Sequence, residues 1–117
     1  MRTLLASLIA LLGVSSAPQA EPVVAVVVLD AAFVQVKVLS AAECESFGRM
    51  WQARRKVAGS AQDAGGTHYK LDIHGPRGSR RHLYYTSGRV ALLAHNLQPT
   101  YVVADPQAFN RLIGAAE

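Results

Sequence analysis

Four histidines (His68, His74, His82 and His95) and one cysteine, Cys44, have the widest chemical range in this chain. Imidazole can bind a metal or move a proton near neutral pH, and a thiolate is both ligand and nucleophile. Their spacing argues against both uses. No HxxxH, HExxH or CxxC pattern is present, and strand placement alone supplies no tetrahedral set. Neither a metal nor another cofactor is expected. Cys44 shares a helical stripe with Phe47 and Trp51, which favours a buried small hydrophobe over an activated thiol.

Asp72 and His82 offer the other chemical possibility. If Gly75–Ser79 closes a simple hairpin, Lys70, Asp72, His74, Arg80, His82 and Tyr84 share one face. Asp72 then lies opposite His82, an acid–imidazole pair able to orient a general base. The plainer account is a cross-strand polar pair on a solvated face. No serine, second cysteine or further carboxylate is placed to complete a nucleophilic site, so no catalytic residue is assigned. A slip of one residue in the register would invert both faces.

The placement of the basic residues is more informative. Arg49, Arg54, Arg55, Lys56, Lys70, Arg77, Arg80, Arg81 and Arg89 fall in one segment whose only acids are Asp63 and Asp72. Such a segment can steer an anionic partner, whether an acidic protein, a polysaccharide or a lipid surface. The expected contact set is Arg77, Arg80, Arg81 and Tyr84 on the hairpin, supported by Arg54, Arg55 and Lys56 at a helix end. Tyr84 is the expected exposed aromatic anchor, while Trp51, Tyr69 and Tyr85 point to the core. A merely solvated face is the bland alternative. Nucleic acid is disfavoured, since export argues against it and no RNP-type motif is present.

The elements that must position these residues begin after an N-terminal targeting pattern. Arg2 precedes an apolar run from Leu4 to Val14, followed by small residues up to Ala20. This is the plan of a secretory signal, and the run is too short for a bilayer span, which takes about 20 residues. Residues 1–20 are expected to be the signal, with cutting after Ala20 favoured over Ala17 and an uncut anchor the plain alternative. A single domain would follow over residues 21–117, exported to a periplasm or secreted, with no membrane span of its own. With one cysteine it forms no intrachain disulfide, so it relies on packing or on a partner. The 117-residue chain carries a formal charge of +4.

Val23–Leu29 is almost entirely β-branched, and Phe33–Leu39 alternates, so this stretch is one long bent strand or a hairpin. Ser40 and Glu43 form a capping box for a helix running to about Lys56. Glu43 and Glu45 in its first turn and Arg54, Arg55 and Lys56 in its last suit the helix dipole. Val57–His68 is rich in glycine and small residues, hence a loop. Strands are expected at Tyr69–His74, Arg80–Tyr85, Arg89–Ala94 and Thr100–Val103, with turn residues between them. Asp105-Pro106 starts a final helix that ends near Gly114.

The expected fold is α+β, in β-α-β-β-β-α order: an antiparallel sheet of about four to five strands with helices packed on one face. The expected core includes Val34, Val36, Phe47, Trp51, Leu71, Ile73, Leu83, Val90, Leu92, Val103, Phe109 and Leu112. The leading functional expectation is a small exported, non-enzymatic binding protein whose basic hairpin meets an anionic partner. An assembly subunit of an envelope complex, pairing through Val23–Leu29 as an apolar edge, is the second. A small hydrolase using Asp72 and His82 is the third.

Overall fold

The structure is a computed structural model and describes residues 22–61, 65–94 and 96–115. The segment expected to be an export signal, and His95, lie outside the described residues. The fold is α+β: one antiparallel sheet of seven strands with two helices on one face. In chain order the elements are β1 (Ala25–Leu29), β2 (Gln35–Val38), α1 (Ala41–Gln52), β3 (Arg55–Val57), β4 (His68–Gly75), β5 (Gly78–Tyr85), β6 (Arg89–Leu92), β7 (Thr100–Val102) and α2 (Pro106–Ile113). The sheet order is β2-β1-β4-β5-β6-β7-β3. The expected meander β4 to β7 forms the centre, and two further elements widen it beyond four to five strands.

The first is a hairpin. Asp30 accepts hydrogen bonds from Ala32 N (2.8 Å) and Val34 N (2.9 Å), folding the chain into a turn between β1 and β2. The second is β3. The helix expected to continue to Lys56 ends at Gln52, and Ala53 is its C-cap. Arg54 folds back so that Nη1 donates to the Trp51 carbonyl (2.6 Å). Its cation still answers the exposed carbonyls of the helix end, while Arg55–Val57 pair antiparallel with β7.

The capping signals set both helix starts. Ser40 Oγ accepts from Glu43 N, and Glu43 Oε1 accepts from Ser40 N (2.9 Å). Asp105 caps α2 through Ala108 N (3.1 Å), Pro106 opens it, and Gly114 closes it in the left-handed region at φ 76°. Phe47 from α1 and Phe109 from α2 are fully buried against Val26, Val28, Leu71 and Tyr84 of the sheet. Each such side chain contributes about 1.5–3 kcal/mol by leaving water.

A smaller cluster lies on the opposite face, where Leu83 and Ala91 are covered by Ala61 and Leu97 from the loops, with Tyr85 packed against it. Three expected core residues, Val34, Val36 and Leu92, lie outside both clusters. Val34, just before β2, and Val36 within it are 57% and 44% exposed, and among the described strands β2 is at the edge of the sheet. None of the described helices is long and apolar enough to cross a membrane.

Candidate functional site

The hairpin β4–β5 decides where every candidate side chain goes. Gly75 pairs with Gly78, leaving Pro76-Arg77 as a two-residue tip, and Gly78 takes φ 123°, which glycine alone reaches without strain. The expected five-residue loop was too long. The shorter loop sets Leu71 against His82, Asp72 against Arg81, Ile73 against Arg80 and Tyr69 against Tyr84. Paired residues share a face and neighbours alternate, so the strand β5 presents the opposite of what the sequence suggested.

Three corrections follow. First, Asp72 and His82 lie on opposite faces of the sheet and form no acid–imidazole pair. Asp72 is held instead by Arg81, with Nε to Oδ1 at 2.6 Å and Nη2 to Oδ2 at 2.8 Å. That hydrogen bonding, with the guanidinium charge, pulls the Asp72 carboxyl below its ordinary range. Second, Arg81 is bound to Asp72 on the face away from the helices. Third, Tyr84 is not an exposed anchor: it is fully buried, packs on Phe109 with ring centroids 4.9 Å apart, and donates its hydroxyl to Asn110 Oδ1. Burial pushes its phenol up.

The same register brings Arg80, His82 and Ile73 to the helix face, next to the second half of α1. A cleft of about 700 Å³ opens there. Arg54, Arg77 and Arg80 line it, together with Val23, Gly48, Trp51, Gln52, Ile73 and His82. Among the described residues that line it, none is a carboxylate. Arg77 sits at the hairpin tip, Arg80 on the exposed stem, and Arg54 beyond the end of α1. Arg54 is held with its guanidinium 4.3 Å from the Trp51 ring centroid and 4.8 Å from that of Tyr101.

Trp51 forms the back of the cleft. Phe47 stacks on it at 5.4 Å and His82 meets it edge-on at 4.9 Å. His82 is largely buried beside Arg54. Loss of solvation first, and the arginine charge second, lower its pKa to about 4 against a slight opposing pull from the Arg80 backbone. Its Nδ1 is buried without a hydrogen-bond partner among the described atoms. The neutral imidazole forms part of the cleft wall.

The two remaining expected contact residues lie elsewhere. Arg55 and Lys56 are exposed on β3, at the far edge of the sheet, and neither lines the cleft. Cys44 is buried on the inner stripe of α1. Among the described residues no three His, Cys, Asp or Glu side chains converge as metal ligands. Val23–Leu29, the apolar stretch through which an assembly subunit would pair with a partner, contributes β1, which is paired on both sides by β2 and β4. Among the described residues the edge strand on that side is β2.

Sequence reasoning did not anticipate the contribution of Trp51 and His82 to the cleft. The signal for His82 was present in Gly75-Pro76-Arg77-Gly78, since proline at the second and glycine at the fourth position suit a tight four-residue turn. For Trp51, which sits on the apolar stripe of α1, no local signal separates core from cleft wall. No protein-family model, curated protein or solved structure matches the chain.

Proposed function

We propose that this chain is a small exported, non-enzymatic binding protein, and that the cleft between α1 and the β4–β5 hairpin receives an anionic group of its partner. The observation carrying this reading is the gathering of Arg54, Arg77 and Arg80 around one cleft. Guanidinium groups offer forked donors suited to carboxylate, sulfate or phosphate. Arg54, stacked between two aromatic rings, loses little freedom on binding. Val23, Trp51 and Ile73 add apolar surface, so the anionic group sits next to an apolar part of the partner. The basic, apolar and small residues of the first twenty positions support export.

Arg81 is engaged by Asp72 and Tyr84 is buried, so neither belongs to the contact set. A pull-down from the host's envelope extract tests the reading. A partner retained at low salt and released at high salt is the expected result. A partner held equally well at both would show that charge does not govern the contact.

A further inference from the structure

We infer that β2 is the interface for a second copy of this chain, the two β2 strands pairing antiparallel across a twofold axis. The backbone is prepared for it. Asp30 N donates to Val34 O (2.9 Å) and Leu39 N to Val26 O (3.1 Å), which fixes the bonded positions of the β1–β2 ladder. Gln35 and Val38 stand opposite Leu29 and Val27, in the alternate positions. Their own N–H and C=O groups therefore turn outward, away from β1. An edge of this kind is a template for another strand.

The side chains agree. Phe33, Val34, Val36 and Val38 are 44–57% exposed, four of the six large hydrophobic residues exposed among those described. The lone cation of the strand, Lys37, is turned to the helix side. Its Nζ is tied to Glu43 Oε2 and to the Leu112 carbonyl, both at 2.8 Å. The strand is four residues long, with Gln35, Val36 and Val38 exposed and its one cation paired with Glu43.

The opposite edge of the sheet makes the contrast. β3 has three residues, two of them the exposed cations Arg55 and Lys56. Charge on an edge strand discourages pairing, and two such edges would repel each other. The strand order puts β2 and β3 at opposite ends. Pairing through β2 therefore keeps the charged β3 edges of the two copies far apart, which matters for a chain carrying +4. A twofold axis sets the same patch against itself. Here each copy brings the same exposed valines, with Lys37 held to Glu43 within its own copy, and an edge equally in need of a partner.

Sedimentation of the purified protein over a range of concentrations tests this, together with Val36→Lys and Val38→Lys. Both positions are exposed, so both variants should keep the wild-type circular dichroism spectrum and melting temperature. The expected result is a wild-type dimer whose dissociation constant rises at least about tenfold in each variant. Amide exchange at Gln35 and Val38 should slow as protein concentration rises. A wild type that stays monomeric, including one that captures a foreign strand instead, overturns the inference. So does a dimer indifferent to both lysines, or exchange at those amides that ignores concentration.

Discussion

Arg81 grips Asp72 across the β4–β5 ladder with two parallel hydrogen bonds, 2.6 and 2.8 Å long, on the face of the sheet away from both helices. The arginine next to it in sequence, Arg80, points to the other face and lines the cleft. One strand thus divides its adjacent arginines between an internal pair and an open site.

This division predicts different outcomes for the two arginines. Arg80→Ala should weaken partner capture severalfold, whereas Arg81→Ala should leave it unchanged at equal protein concentration. Titrating each variant against the captured partner checks this. Equal losses would place the contact on the outer face instead.

The Asp72 pair also has a pH signature. Its carboxyl titrates lower in the folded chain than in the unfolded one. The stability it confers is therefore present above the ordinary carboxylate range and is lost as pH falls through the lowered folded value. Asp72→Asn should melt below wild type at neutral pH, with the gap closing in strong acid. Melting curves at several pH values would show it, and a gap independent of pH would count against the pair.

His82 acts in a higher window. Its folded pKa of about 4 lies below its ordinary 6.5, so protons favour the unfolded chain as pH drops. Stability from keeping the imidazole neutral is whole above pH 6.5 and drains away down to about pH 4, by about 3 kcal/mol in all. His82→Phe should flatten this part of the profile, since Nδ1 has no hydrogen bond to lose. Denaturant midpoints between pH 7 and pH 4 decide it. A variant with wild-type acid sensitivity would place the responsible group elsewhere.

Tyr84→Phe removes the donor to Asn110 Oδ1 inside the core. Asn110 keeps its bond from Nδ2 to the Thr86 carbonyl (3.0 Å) but loses the partner of its oxygen. An unsatisfied buried acceptor costs about 1–3 kcal/mol. The melting temperature should fall while partner capture persists, because the hydroxyl does not reach the cleft surface. An unchanged melting temperature would mean that the hydrogen bond contributes nothing net.

The elements legible in the sequence were those with local signals. Ser40 and Glu43 announce α1, Asp105-Pro106 announces α2, and alternation marks the β4–β7 meander. β3 carries no such signal: Arg54-Arg55-Lys56 suits the end of a helix, and only the presence of β7 makes Arg55–Val57 a strand. The apolar character of Val34 and Val36 implied burial, but local pattern does not say whether a strand is central or at an edge. The site suffered from a single count. A loop five residues long instead of two moved every β5 side chain to the wrong face, so Tyr84 looked exposed and His82 looked paired with Asp72. The structure brings Arg54, Arg77 and Arg80 of the expected set to one cleft, but Arg55, Lys56 and Arg81 could be separated from them only once the register and strand order were known.

The central claim is that the cleft arginines, and not the basic edge at β3, receive the partner. The most direct measurement compares Arg77→Glu/Arg80→Glu with Arg55→Glu/Lys56→Glu in low-salt capture from the envelope extract. Both double variants change the net charge equally, so a purely global charge effect would weaken both alike. The account predicts that the cleft variant loses the partner while the β3 variant retains it. Retention by the cleft variant, or the same loss in both, would contradict it.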